Sequence, residues 1–105
     1  MKIYDDKNKL LAIIIQNKDI EKEKNFVTDN EQEMQLASFN LKEGTKILNH
    51  YHPKQERKIS STSEVINVIE GSLKINIFDD DLNLVQSQMI TSGETVALFA
   101  GGHGI

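Results

Sequence analysis

Apolar residues recur along this chain mostly at every second position, in short runs rich in Ile, Val and Phe separated by clusters of Asp, Asn, Gly and Ser. Period two puts alternate side chains on one face of an extended backbone, so the pattern predicts strands. The predicted strands are Lys2–Tyr4, Leu10–Gln16, Phe26–Thr28, Met34–Leu41, Thr45–His52, Glu64–Ile69, Ser72–Phe78, Leu84–Ile90 and Thr95–Phe99. Short strands at this spacing suit an all-β sandwich or barrel.

Turn chemistry falls between the runs. Lys42-Glu43-Gly44-Thr45 reads as a hairpin turn in which Gly44 is free to take positive φ. Glu70-Gly71-Ser72, Asp79-Asp80-Asp81 with Asn83, and Ser92-Gly93-Glu94 read as further tight turns. The charged stretch Asp19–Lys24 is a helical turn or a solvated loop and is assigned no function. Pro53–Ser63 is polar and longer than a hairpin requires, long enough to cover a site. Neither a repeat nor a linker divides the chain.

Composition narrows the picture. A chain of 105 residues accommodates one domain. At this size folding hides roughly 65% of the unfolded surface, so dimerisation would add useful burial. The net charge of −4 and the lack of any Lys/Arg block argue against a nucleic-acid surface. With no cysteine, a metal site must be built from His and carboxylate, which favours an open centre over a closed structural one. The apolar run Leu10–Ile15 is too short and wrongly flanked for a signal peptide or a membrane span, so no membrane association is expected and the cytoplasm is the default location.

The chain has three histidines. His50 and His52 stand two apart in a predicted strand, where they share a face and can converge on one ion. His103 follows Gly101-Gly102, whose lack of side chains lets the backbone turn sharply and approach a neighbour closely. Glu64 opens an alternating strand with Ile66 and Val68 on its own face, so its carboxylate either points inward, where it needs a cation or hydrogen bonds, or caps the strand at the rim and meets water. Lys46 shares the predicted face of the two histidines and is read as reaching the rim, and Arg57 is read as a surface arginine. The Asp79–Asp81 run lacks the ligand spacing of a calcium loop.

Gly44, five residues, His50-Tyr51-His52, then Glu64, six residues and Gly71 resemble the first motif of the cupin superfamily. The departure is the spacer: eleven residues separate His52 from Glu64 where the family usually has only a few. Glu56 has the usual spacing but Ser63 stands where its glycine should be, so Glu64 is preferred. "GETVALFAGGHGI" resembles the second motif, with Phe99 in place of a proline and His103 one residue early. The resemblance runs from Met34 onward, giving one cupin domain over 1–105 with N-terminal strands and a charged loop in 1–33 and the motif core in 34–105. It is closest to small single-domain cupins similar to sugar-modifying members.

That resemblance implies a double-stranded β-helix, or jelly-roll barrel, and a divalent ion (Fe, Mn, Ni or Zn) on His50, His52, Glu64 and His103. It implies an enzyme, a metal-dependent oxygenase or isomerase, acting on a small oxygen-rich molecule such as a carbohydrate derivative. A non-catalytic small-ligand module and a metal-free sugar epimerase or isomerase are the alternatives. Cupins usually continue one or two strands beyond this histidine, whereas this sequence stops at Ile105. Either a partner, most simply a second copy in a homodimer, or the N-terminal segment is expected to complete the barrel, or the sequence is truncated.

Overall fold

The alternation becomes two antiparallel sheets packed face to face. The computed structural model describes Met1–Ile105 and contains β1 (Lys2–Tyr4), β2 (Leu10–Ile15), β3 (Lys24–Phe26), β4 (Ala37–Phe39), β5 (Glu64–Asn67), β6 (Ser72–Phe78), β7 (Leu84–Thr91), β8 (Thr95–Leu98) and β9 (Gly102–Gly104). One sheet has the order β1-β2-β8-β5, the other β7-β6-β9, and β3 and β4 form a separate hairpin. A single 3-10 turn, Asn17–Asp19, is the helical content, so no helix is long and apolar enough to cross a membrane.

The core lies between the two sheets. In-register pairs Ala12↔Leu98 and Ile14↔Val96 present their side chains to Ile75 and Ile77 of β6, Ile90 of β7 and Val68. Each fully buried Ile or Val contributes about 1.5–3 kcal/mol relative to exposure. β2 reads as an unbroken apolar run because both of its faces are covered. Ile13, on the outer face, packs with Ala97, Phe99, Val27, Met34 and Leu36.

The sandwich closes along one side only. β1 touches β7 there, and the Gln86 amide donates to the Met1 sulfur at 3.1 Å. On the opposite side β5 and β9 end their sheets with free outer edges, so the strands do not close into a barrel. Phe99–Gly101 carry the chain from β8 in one sheet to β9 in the other. Gly101 has φ +69°, and a Cβ there would collide with the Phe78 carbonyl oxygen.

Two departures from the sequence pattern bear on function. Thr45–His52 alternates like a strand but forms none. Between Leu41 and Ser63 the one backbone–backbone hydrogen bond is Thr45 N–H to Lys42 C=O, which closes the predicted turn with Gly44 at φ +81°. The segment has no neighbouring strand to complete a ladder, and Leu48 and Tyr51 are 86% and 85% exposed. Conversely, Gly102–Gly104 is a strand that periodicity misses, held by pairing with β6 in the register Ile77↔His103. The unpacked segment leaves an accessible surface of 7936 Å², against about 5,900 Å² for a compact chain of 11.9 kDa.

Candidate functional site

Glu64 and His103 face each other across the open side of the sandwich. Glu64 begins β5 opposite Leu98 and alternates in phase with Ile66 and Val68, both of which pack in the core. Its side chain leaves that face at the rim, more than half exposed, rather than in the apolar interior that the sequence pattern suggests. His103 is paired with Ile77, a core residue, and directly paired residues in an antiparallel ladder point to the same side. Both side chains thus leave inner faces at the mouth, where Nε2 of His103 lies 3.5 Å from Oε2 of Glu64. The pair is neither sealed nor fully solvated, with side-chain exposures of 34% and 56%.

His50 and His52 form a second pair. Their rings lie 5.4 Å apart between centroids and are inclined at 67°. Nδ1 of His50 is 2.9 Å from the Leu48 carbonyl oxygen, which can only accept, so Nδ1 carries the proton in this contact, and in the neutral imidazole Nε2 is the nitrogen with the free lone pair. Both histidines are on an exposed, irregular segment rather than the predicted strand, because nothing pairs with that segment. The four predicted ligands are accordingly gathered as two pairs, with no group of three His, Asp or Glu around one point.

The remaining candidates resolve individually. Glu56 and Lys46 are exposed in the irregular segment. Arg57 donates from Nη1 to the Glu33 carbonyl oxygen at 3.2 Å and so ties down the loop that carries it. Asp79 accepts the Asp81 and Asn83 backbone N–H groups through Oδ1 at 3.0 and 2.8 Å, which makes the acidic run a self-capped turn. The Asn83 amide holds the Asp79 carboxyl below its ordinary range, while Asp80 pairs with Lys9 at 2.8 Å.

One residue without a local signal governs the approach to Glu64. Glu33 accepts from the Ser60 hydroxyl at 2.6 Å, the Ser60 N–H at 2.9 Å and the Ser61 hydroxyl at 3.2 Å. The Ser60 hydroxyl, then its N–H, hold the Glu33 carboxyl below its ordinary value. This clamp anchors the end of the Pro53–Ser63 loop, between the histidine pair and Glu64. The serine run marks a loop in sequence, but its partner is 27 residues away.

The donor types suit a divalent transition metal. Neutral imidazole nitrogen and carboxylate oxygen each bind such ions at about 2.0–2.2 Å, and two such donors on a tetrahedral centre lie about 3.4 Å apart. The His103–Glu64 separation of 3.5 Å matches that edge. A carboxylate beside an imidazole is also the arrangement that orients a general base. No protein-family model matches this chain, and neither a curated protein nor a solved structure matches it significantly.

Proposed function

We propose that this chain is a metal-binding protein of the cupin type that acts as an enzyme on a small oxygen-rich molecule, such as a carbohydrate derivative. The observation that carries the reading is the His103–Glu64 pair, set 3.5 Å apart on inner faces at an open mouth. The H-x-H pair enters the same chain shortly before Glu64. Seven residues, Pro53–Ile59, separate the pair from the Glu33 clamp at Ser60 and span up to about 23–25 Å when extended, which gives His50 and His52 reach toward the mouth. The free edge of β9 is the natural seat for Thr45–His52. Pairing there would satisfy the segment's bare backbone groups, set both histidines on one face beside His103, and complete a jelly-roll barrel.

A centre of His50, His52, His103 and Glu64 would leave coordination positions open, and an Fe, Mn, Ni or Zn ion held there supplies either Lewis-acid or oxygen-activating chemistry. The chain's own contribution is orientation. The Leu48 carbonyl fixes the His50 tautomer, and the Glu33 clamp fixes the loop leading to Glu64. The surplus surface, about 2,000 Å² over a compact chain, exceeds the roughly 800 Å² that each copy buries in a stable interface, so a homodimer is proposed as the working unit. Sedimentation at micromolar concentration should then show a dimer, and a monomer would remove that part of the reading.

The test is elemental mass spectrometry on untagged protein, with His50→Ala/His52→Ala as control. Stoichiometric metal that disappears in the double variant supports the centre. Protein that stays metal-free after exposure to Fe(II), Mn(II), Ni(II) and Zn(II) refutes it. The His103–Glu64 contact also favours one second reading, a metal-free sugar epimerase or isomerase with His103 as general base oriented by Glu64. There, activity survives chelation and loss of His50 and His52. Metal or ligand binding without turnover would instead leave a small-ligand module.

A further inference from the structure

A second concavity lies away from the mouth, on the outer face of the four-stranded sheet. It runs between the C-terminal half of β2 and the strand β3, with a volume of about 430 Å³, within the usual size range of small-molecule sites. Val27 and the edge of Ile15 contribute its apolar surface, with Ile13 buried beneath them. The Phe26 ring stands at its side, 71% exposed and edge-on to Phe39 at 5.9 Å. An aromatic ring left this open beside an apolar groove lacks only something to cover it.

The polar lining has a sign. Lys2, Lys18 and Lys22 border the groove, and Lys2 is the register partner of Ile13, which places it on the same outer face. None of the three lysines lies within 4 Å of a carboxylate; the ion pairs of the chain are Met1–Asp19, Lys9–Asp80 and His103–Glu64. Asp19 also borders the groove but accepts the Gln16 N–H at 3.0 Å, leaving Glu21 as the one carboxylate there without such a bond. Set against the two carboxylates Asp19 and Glu21, the three ammonium groups leave the lining net positive on a chain of net charge −4.

We infer that this groove binds a small organic anion with an apolar body, a free medium-chain monocarboxylate, independently of the metal centre. The hydrocarbon lies against Val27, the edge of Ile15 and the Phe26 ring, and the carboxylate meets Lys18 and Lys22 with Lys2 beside them. Apolar contact supplies affinity, and the lysines select the sign of the headgroup.

The test is a chemical-shift titration of the full chain with sodium octanoate, against octylammonium and acetate. Octanoate should give saturable shifts at Ile13, Ile15 and Phe26, at least tenfold tighter than either control. Lys18→Gln/Lys22→Gln should weaken octanoate at least tenfold and leave octylammonium binding as tight or tighter, which also shows that the variant is folded. Equal affinity for octanoate and octylammonium would overturn the inference by removing the role of charge. Acetate as tight as octanoate would overturn it by removing the apolar body, and so would shifts elsewhere or without saturation.

Discussion

Gly101 and Gly71 both take positive φ, at +69° and +88°, yet alanine should be tolerated at one and not at the other. At Gly71 a Cβ meets nothing within 4 Å, so the cost is the left-handed backbone alone, about 1–2 kcal/mol. The stiffer unfolded chain offsets about 0.4–1 kcal/mol of that, leaving a net loss near 1 kcal/mol. At Gly101 the same strain is joined by a collision with the Phe78 carbonyl oxygen and a tight 3.1 Å approach to Leu11 Cδ2. The oxygen belongs to the backbone of β6 and cannot swing aside, so β9 must lift from it. Overpacking of this kind adds about 1–3 kcal/mol, for a total of about 2–4 kcal/mol out of the 5–15 kcal/mol that a small domain typically has. Urea unfolding followed by circular dichroism reads the difference directly. Gly101→Ala should unfold at clearly lower urea than Gly71→Ala with a similar slope. Equal midpoints would mean that β9, and with it His103, is not seated against β6 as described.

Other perturbations separate the parts of the account. Glu64→Ala should weaken metal binding strongly while Glu56→Ala leaves it nearly intact, and calorimetry showing the opposite order would move the carboxylate ligand to the loop. Glu94 is 7% exposed and accepts the Asn17 and Thr91 N–H groups at 3.1 and 2.9 Å, so Glu94→Ala, which strands both donors, should cost about 2–3 kcal/mol in urea unfolding. The Glu33 carboxyl is held below its ordinary value of 4.5, so the clamp on Ser60 and Ser61 is fully present above that pH. It should be lost as the pH falls further through the lower folded value. Amide exchange at Ser60 should then accelerate toward the rate in Glu33→Ala, and a pH-independent rate would contradict the clamp.

Much of the β architecture is legible because its determinants are local. β6 and β7 form a hairpin whose alternation and Asp-rich turn lie within one continuous stretch, and their predicted limits differ from the observed ones by one residue at most. β2 is equally plain, although its covered outer face depends on the distant β3–β4 hairpin. Thr45–His52 shows the limit of periodicity. Alternation states which side chains would share a face, but a strand also needs a neighbour for its backbone, and here none is present. Gly102–Gly104 is the converse case, with no apolar pattern and a partner supplied by β6. Of the predicted ligands, Glu64 and His103 meet because each strand's inner face is set by core residues beside it. Glu33, Ser60 and Ser61 could not be paired from sequence because side-chain clamps between loops leave no periodic trace.

The central claim is that the two histidine-bearing halves serve one ion, and Zn(II) titration calorimetry on three proteins tests it most directly. Wild-type chain should bind one ion, and His103→Ala should lower the affinity at least about 100-fold, as should His50→Ala/His52→Ala. Wild-type affinity retained in His103→Ala would mean that the H-x-H pair binds alone on an exposed segment, and that the mouth of the sandwich is no metal centre.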